Sequence, residues 1–295
     1  ITQINPDPFI HLENLKELHL TKVKLARNCS NIFAPLKSIQ KLVMGSTCFN
    51  YNAYKQVKNL RELELFTFST IKINKNFFSD HPNLESLDLT GLNTFKLSLY
   101  DPKSRDRKYC IDLKALANLK QLKTLILCDN NLKLGPDCEI YSLENLETLD
   151  LSLSDRTKFM KRELILNETT FIRMNKLKSL NLSGNLIRLE GNCFQHLTQL
   201  TDLDLANTVL DSDNNDYDDI LSSLKNLETF NFKDIDEPCG LLKLYRLSEL
   251  TNLKVLRLRI TERDLEHYGE MLRHKRRPGV ELTIPTNDDL CYFIL

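Results

Sequence analysis

The fold is decided by the stretch Leu177–Ile187, which reads LKSLNLSGNLI. Three-residue apolar steps lead into a Leu-x-Leu step, and that step has the period of two that belongs to a strand. It places Leu180 and Leu182 on the same side of a short strand. A segment of this kind cannot bury its own leucines, so it needs neighbours with the same pattern.

The same apolar spacing recurs along nearly the whole chain, with one polar member, His81, in the fourth copy. Stacked copies bury their leucines in one continuous core and align their strands in parallel. We therefore predict an α/β solenoid of about ten repeats. We expect a curved horseshoe with the parallel sheet on its concave face and an irregular or short helical convex side. The Leu-x-Leu steps, or their replacements, are Leu18/Leu20, Leu42/Met44, Leu63/Leu65, Leu87/Leu89, Leu125/Leu127, Leu149/Leu151, Leu180/Leu182, Leu203/Leu205, Phe230/Phe232 and Leu256/Leu258.

The repeat also sets the expected domain organisation. We predict that residues 1–284 form the solenoid, with insertions at 98–112 and 153–170 where the spacing exceeds the repeat. The strand-like segment Val280–Ile284 is expected to close the stack, and residues 285–295 to form a C-terminal tail or cap. Because the chain opens in the middle of the pattern, we expect a fragment or a processed chain.

Composition and motifs exclude several classes of function. The chain is 41% hydrophobic with a formal net charge of +0, which allows a real core and argues against broad nucleic-acid binding. We find no Gly-rich nucleotide loop, no nucleophile motif and no apolar run of membrane-spanning length. Asp211–Asp219 begins like a calcium loop but lacks the Gly and Glu that such a loop needs. We therefore expect no enzymatic activity, no cofactor, no metal site and no membrane span within this chain.

The stretch Leu177–Ile187 resembles the LxxLxLxxNxI signature of leucine-rich-repeat proteins. With Phe194, Leu197 and Leu200 behind it, it is similar to the repeats of Toll-like receptor and related extracellular ectodomains. The resemblance implies a non-enzymatic, receptor-like recognition module at the cell surface, associated with innate immunity, whose partner is a protein ligand or co-receptor. The alternative is a cytoplasmic adaptor or substrate-recognition subunit, which the strand–helix–strand character of Leu256–Ile284 favours.

Eight cysteines are present, and none forms a CxxC pair. Cys29 and Cys48 follow strands of adjacent predicted repeats, as do Cys110 and Cys138, so each pair is a candidate disulfide. Free buried thiols in a cytosolic protein are the alternative. The N-x-[ST] sequons at Asn28, Asn167 and Asn181 are candidate glycosylation sites, although a chain this rich in Asn contains about that many by chance.

The middle residue of each Leu-x-Leu step is predicted to face the concave surface, where solenoids often dock partners. Glu64, Asp88, Asp150 and Asp204 would form an acidic stripe there or would simply be solvated. We predict that the partner binds the N-terminal half, around Glu64, Phe66 and Asp88. Basic side chains of the first insertion, Lys103, Arg105 and Arg107, are predicted to contribute because long loops on rigid scaffolds often carry function.

Overall fold

A computed structural model gives the structure of the chain. It describes residues 8–23, 31–45, 51–66, 73–92, 111–130, 132, 134, 138–153, 163–211, 220–232, 250–258, 281–282 and 291–294. The chain divides into two compact units, Ile1–Leu132 and Lys133–Leu295, which are called unit 1 and unit 2 below. Both are built mainly from short strands, with little helix.

Unit 1 contains strands that pair in parallel and in chain order. The register follows the leucines, since Leu42 lies opposite Leu18 on one side and Leu63 on the other. Leu42, Leu63, Leu87 and Leu125 are all fully buried, so the register aligns the core side chains of successive copies. The elements are β1 (Glu17–Thr21), β2 (Lys41–Gly45), α1 (Tyr51–Tyr54), β3 (Glu62–Phe66), β4 (Ser86–Asp88), a 3-10 helix at Leu113–Leu116 and β5 (Thr124–Ile126).

Unit 2 contains two sheets. Its elements are a 3-10 helix at Glu139–Ser142, β6 (Thr148–Asp150), β7 (Glu163–Leu166), β8 (Ser179–Asn181), β9 (Leu186–Leu189), β10 (Asp202–Asp204), β11 (Val209–Asp211), β12 (Thr229–Phe232), β13 (Val255–Leu258), β14 (Glu281–Leu282) and β15 (Cys291–Ile294). In the first sheet β6, β8, β10, β12 and β13 pair in parallel. In the second sheet β9 pairs in parallel with both β7 and β11.

The predicted solenoid of parallel strands is confirmed, with a slightly different turn count. The structure has about seven turns where about ten repeats were expected. Seven of the nine intervals between successive Leu-x-Leu steps are 21 to 27 residues long. The other two are longer, with 38 residues from Leu87 to Leu125 and 31 from Leu149 to Leu180.

Parts of the two predicted insertions and of the C-terminal segment are described. At the end of the first insertion, Ile111 forms a parallel bridge with Ile73. The second insertion contains β7, which is a strand of the second sheet of unit 2. At the C-terminus β15 pairs antiparallel with β13, and β14, the described part of the segment expected to close the stack, pairs with β15.

Asparagine side chains tie successive turns together inside the structure. Asn130 Nδ2 donates to the Leu89 carbonyl of the preceding turn at 2.8 Å, and Asn185 Nδ2 donates to that of Leu151 at 3.0 Å. Both side chains are buried, and each also donates to two carbonyls of its own turn. These are the two asparagines that occupy the signature position of the sequence, and they satisfy carbonyls that would otherwise be buried without donors.

A second asparagine ladder, which the sequence analysis missed, lies just before the first leucine of several copies. There the side-chain amide donates to a backbone carbonyl of the preceding turn. The bonds run from Asn59 to Lys37 at 2.7 Å, from Asn226 to Thr198 at 2.8 Å and from Asn252 to Lys225 at 2.9 Å. The sequence signal is an Asn-Leu pair that opens the LxxLxL pattern.

A left-handed residue recurs two positions after the Leu-x-Leu step. The positive φ angles are 57° at Lys22, 68° at Gly91, 56° at Asp129, 74° at Gly184 and 55° at Asn207. The reversal directs the next side chain into the core, and the buried residues at that position are Leu92, Asn130, Asn185 and Thr208. Gly, Asn and Asp adopt this conformation at low cost, whereas the conformation of Lys22 is strained.

We expect Lys22→Gly to stabilise unit 1 by about 0.5–1 kcal/mol. The substitution relieves a left-handed strain of about 1–2 kcal/mol and adds back the larger unfolded-state entropy of glycine. The Lys22 amide keeps its hydrogen bond to the Gly45 carbonyl at 2.9 Å, and the lysine side chain is exposed. Urea unfolding measures the change. Thr21→Gly, one residue earlier in β1, is the control and should destabilise; a loss of stability in both variants would contradict the strain at Lys22.

Candidate recognition surface

In each unit, the sheet formed by the Leu-x-Leu strands has one face buried in the core. Its other face carries the side chains that lie between the leucines. We call the latter the Leu-x-Leu face of its unit. In unit 1 it comprises Glu17, His19, Lys41, Val43, Glu62, Glu64, Phe66, Ser86, Asp88, Thr124 and Ile126. In unit 2 it comprises Thr148, Asp150, Ser179, Asn181, Asp202, Asp204, Thr229, Asn231, Val255 and Arg257.

Carboxylates converge on one lysine at the Leu-x-Leu face of unit 1. Lys41 Nζ lies 3.2 Å from Glu64, 3.3 Å from Glu62 and 3.7 Å from Glu17. The Glu64 carboxylate, followed by that of Glu62, raises the pKa of Lys41. A hydrogen bond with His19 lowers the pKa of Glu17. One lysine cannot neutralise the carboxylates around it, and this region keeps an excess of negative charge.

Phe66, which was predicted to lie at the partner-binding surface, is half-buried. It lies opposite Gly45 in the register of β2 and β3. Its ring occupies the space that a side chain at position 45 would fill, because a Cβ there would overlap the ring. Phe66 therefore packs on the sheet over Gly45, at the opposite end of β2 from Lys41, and remains partly exposed. A partner-binding role for it stays a prediction.

The acidic residues in the middle of the Leu-x-Leu steps have a structural role that the sequence analysis missed. Asp88, Asp150 and Asp204 each accept a hydrogen bond from the backbone N–H two residues later, at 2.8 Å in all three cases. Asn181 makes the same bond at 3.1 Å. Each side chain therefore caps the turn that follows its strand, as Asp and Asn commonly do. The signal was present in the sequence as an Asp or Asn between two leucines.

Two of these carboxylates in unit 2 also accept a hydrogen bond from the neighbouring strand. Asn181 Nδ2 donates to Asp150 Oδ2 at 3.1 Å, and Asn231 Nδ2 donates to Asp204 Oδ2 at 2.9 Å. The Leu-x-Leu face of unit 2 therefore carries carboxylates whose oxygens are largely engaged. The Leu-x-Leu face of unit 1 instead carries three glutamates that form ion pairs with one lysine, Lys41.

A row of charged residues borders both faces at the start of the strands. Lys123 Nζ lies 2.7 Å from Glu85, which also pairs with Arg61, and both cations lower the pKa of Glu85. In unit 2 Lys178 lies 2.7 Å from Glu147, and Lys254 lies 2.7 Å from Glu228. Arg61, Lys123 and Lys178 are each paired with a glutamate of an adjacent turn.

Only some of the candidate cysteines, glycosylation sites and insertion residues lie in the part of the chain that the structure describes. Cys138 is half-buried at the N-terminal end of the 3-10 helix Glu139–Ser142. Cys193 is fully buried, and burial raises the pKa of its thiol, which makes it unreactive. Asn167 follows β7, and Asn181 lies in β8. Outside the described residues lie Asn28, Cys29, Cys48, Lys103, Arg105, Arg107 and Cys110, so the disulfides and the role of the first insertion stay predictions.

Family comparisons agree with this architecture. A family model described as leucine rich repeat matches residues 165–210, and one described as BspA type leucine rich repeat region matches residues 1–104. The chain belongs to the leucine-rich-repeat superfamily. Members of this leucine-rich-repeat superfamily are generally non-enzymatic scaffolds for recognition. No curated protein matches the chain.

Several solved leucine-rich-repeat structures share the fold. TLR13 in complex with a single-stranded RNA superposes with a TM-score of 0.57 at 24% identity, covering 82% of this chain and 33% of TLR13. A leucine-rich-repeat protein of Leptospira interrogans gives a TM-score of 0.54 at 21% identity, covering 85% of this chain and 63% of the Leptospira protein. Drosophila Toll, in complex with Spätzle, gives a TM-score of 0.55 at 18% identity, covering 91% of this chain and 36% of Toll. The chain thus spans less than two thirds of each of these proteins.

A search for transmembrane helices in the described part of the chain finds none of sufficient length and hydrophobicity to cross a bilayer.

Proposed function

We propose that this leucine-rich-repeat protein is an extracellular, receptor-like recognition module that binds a basic protein partner through the Leu-x-Leu face of unit 1. The observation that carries the proposal is the convergence of Glu17, Glu62 and Glu64 on Lys41. Uncompensated carboxylates on a rigid sheet attract cationic groups and speed their association. Phe66 adds partly exposed apolar ring surface on the same strand as Glu62 and Glu64, and aromatic residues are enriched among hot spots.

Charge also argues for a protein partner over a nucleic acid. A nucleic acid needs cations to replace its counterions, and the described Leu-x-Leu face of unit 1 bears four carboxylates and one lysine. Toll is a structural neighbour solved with Spätzle, and TLR13 is one solved with RNA. The acidic face favours a protein ligand or co-receptor.

The test compares matched sets of charge-neutralising substitutions. Glu62→Gln, Glu64→Gln and Asp88→Asn remove three charges from unit 1 while keeping hydrogen-bond acceptors, and Asp88→Asn preserves the turn cap. The control is Asp150→Asn, Asp202→Asn and Asp204→Asn in unit 2. With a fluorescent oligolysine peptide as the probe, we expect the unit 1 variant to lose at least about tenfold in affinity, or about 1.4 kcal/mol. We expect the control to lose less than about twofold.

Equal losses in the two variants would show that only overall charge matters and would overturn the choice of unit 1. Melting curves check that both variants are folded. Rising ionic strength should weaken binding of the wild-type chain, because the interaction is between exposed charges.

The extracellular location has its own test. The protein from its native source is run on reducing and non-reducing gels, with and without glycosidase. We expect a mobility change on reduction and another after glycosidase. No change in either comparison would support the cytoplasmic adaptor.

A further inference from the structure

The two sequons in the described part of the chain differ in the use of their asparagine side chains. Asn167 belongs to Asn167-Glu-Thr169 and follows β7 in the second sheet of unit 2. Asn181 belongs to Asn181-Leu-Ser183 and lies within β8 on the Leu-x-Leu face. A sequon becomes a glycoprotein site only if the folded protein accommodates the sugar on the amide nitrogen.

At Asn167 the hydrogen bonds of the side chain are made by its oxygen, Oδ1, and not by its nitrogen, Nδ2. Oδ1 accepts from Thr169 N at 3.0 Å, from Thr169 Oγ1 at 2.8 Å and from Thr170 Oγ1 at 3.2 Å. Thr170 Oγ1 in turn accepts from the backbone N–H of Asn167 at 2.9 Å. Within the described residues Nδ2 has no hydrogen-bond partner, and Glu168 and Thr169 beside it are exposed. A substituent on Nδ2 leaves every one of these bonds intact.

At Asn181 both ends of the amide are engaged. Oδ1 accepts from Ser183 N and caps the turn, while Nδ2 donates to Asp150 on β6 at 3.1 Å. In the register of the sheet Asn181 lies directly between Asp150 and Asp204. Neighbouring strands are about 4.8 Å apart, so a sugar on this half-buried nitrogen would crowd both carboxylates. It would also disturb the donor to Asp150.

We propose that Asn167 is an N-glycosylation site of the folded protein and that Asn181 is not. The inference rests on the proposed extracellular role, since the modification requires the secretory pathway. In the reaction the Asn167 amide nitrogen attacks C1 of a lipid-diphosphate-linked oligosaccharide. The N–C1 bond forms, the bond from C1 to the diphosphate oxygen breaks, the amide loses one proton, and the lipid diphosphate leaves.

This assignment places the sugar beside the second sheet of unit 2 and keeps it off the Leu-x-Leu face of that unit. A glycan on Asn181, in the middle of that face, would obstruct docking there. With Asn181 unmodified, the Asp150–Asn181 and Asp204–Asn231 hydrogen bonds stay in place, and a glycan is no longer a reason for a partner to avoid unit 2.

To test this, the full chain is secreted from cultured mammalian cells with the substitution Asn28→Gln. Of the three sequons, those at Asn167 and Asn181 then remain. Thr169→Ala removes the first sequon and Thr169→Ser restores it. Ser183→Ala removes the second while Asn181 and its turn cap remain, because the cap uses the backbone N–H of residue 183. Glycosidase-induced mobility shifts and glycopeptide mass spectrometry measure the occupancy of each site.

We expect Thr169→Ala to abolish the glycosidase shift, Thr169→Ser to retain it, and Ser183→Ala to leave it unchanged. A secreted, folded protein that is unmodified at Asn167, or equally occupied at Asn181, would overturn the assignment. Forced secretion tests the choice of site independently of the native location. A protein that is modified at Asn167 in these cells but unmodified in its native source would count against the extracellular role alone.

Discussion

Replacing Leu180 with aspartate is expected to unfold unit 2. Leu180 lies in β8 with 1% of its surface exposed, between Leu149 and Leu203 in the register of the sheet. The variant loses the buried leucine, at a cost of about 2–5 kcal/mol, and places a carboxylate in the core at a further cost of several kcal/mol. The sum approaches the whole stability of a typical domain, which is about 5–15 kcal/mol.

The matched control is Ser179→Asp, one residue earlier on the same strand, where the side chain is on the half-exposed face. There the new carboxylate remains hydrated, and we expect a loss below about 1 kcal/mol. Circular dichroism melts and hydrogen exchange of β6, β8 and β10 measure the effect. A Leu180→Asp melt that coincides with the wild-type melt would exclude Leu180 from the core.

Acid is expected to destabilise unit 1 through His81. This histidine is fully buried, and its ring stacks on Tyr54 with a centroid distance of 4.1 Å. Desolvation lowers the pKa of His81 from 6.5 to about 4, against the opposing effect of the Asp80 charge and with a smaller contribution from Lys58. The Lys58 ammonium in turn lowers the pKa of Asp80, so the Asp80 carboxylate stays charged in this range.

The sign follows from proton uptake. Between pH 6.5 and 4 the unfolded chain protonates His81 and the folded chain does not, so stability falls as the pH falls through this window. The total loss is about 3 kcal/mol, at about 1.4 kcal/mol per pH unit. Above pH 6.5 the contribution of His81 is constant, because the residue is neutral in both states.

His81→Leu isolates the effect, since leucine occupies this ladder position in other copies, such as Leu36 and Leu119. Between pH 7 and 4 we expect the free energy of unfolding of the variant to fall by about 3 kcal/mol less than that of the wild type. Urea unfolding monitored by circular dichroism measures this difference. Carboxylates with lowered pKa values, including Glu17 and Glu85, affect both proteins alike and cancel in the difference. Parallel pH profiles for the two proteins would refute the role of His81.

The apolar ladder was predictable because burial requires it. A Leu-x-Leu step with one buried face has a single register, and the same step occurs in every copy. The parallel sheets and the core leucines follow from that requirement. The second sheet of unit 2 was not predictable in this way, because β7 lies inside what the spacing defined as an insertion.

The candidate surface was harder to predict, because a side chain between two leucines can serve the backbone or a partner. Asp88 was predicted to bind a partner and was found to cap a turn, a distinction that depends on a single hydrogen bond. Phe66 was predicted to bind a partner, and its ring lies over Gly45, a contact that no property of either residue alone indicates. Pairing of Arg61 with Glu85 depends on turns 24 residues apart coming into register.

The turn caps constrain how such a surface can evolve. At Asp88, Asp150, Asn181 and Asp204 the backbone needs a short side chain with an acceptor oxygen, which both aspartate and asparagine supply. Their codons differ by one base, so a single mutation changes the local charge by one unit while the strand and its turn persist. At Asp88, where only one carboxylate oxygen is engaged, such an exchange retunes the electrostatic potential of the sheet without a compensating change. At Asp150, Asn181 and Asp204 the second side-chain atom also bonds to the neighbouring strand, so an exchange there requires a matching change in its partner.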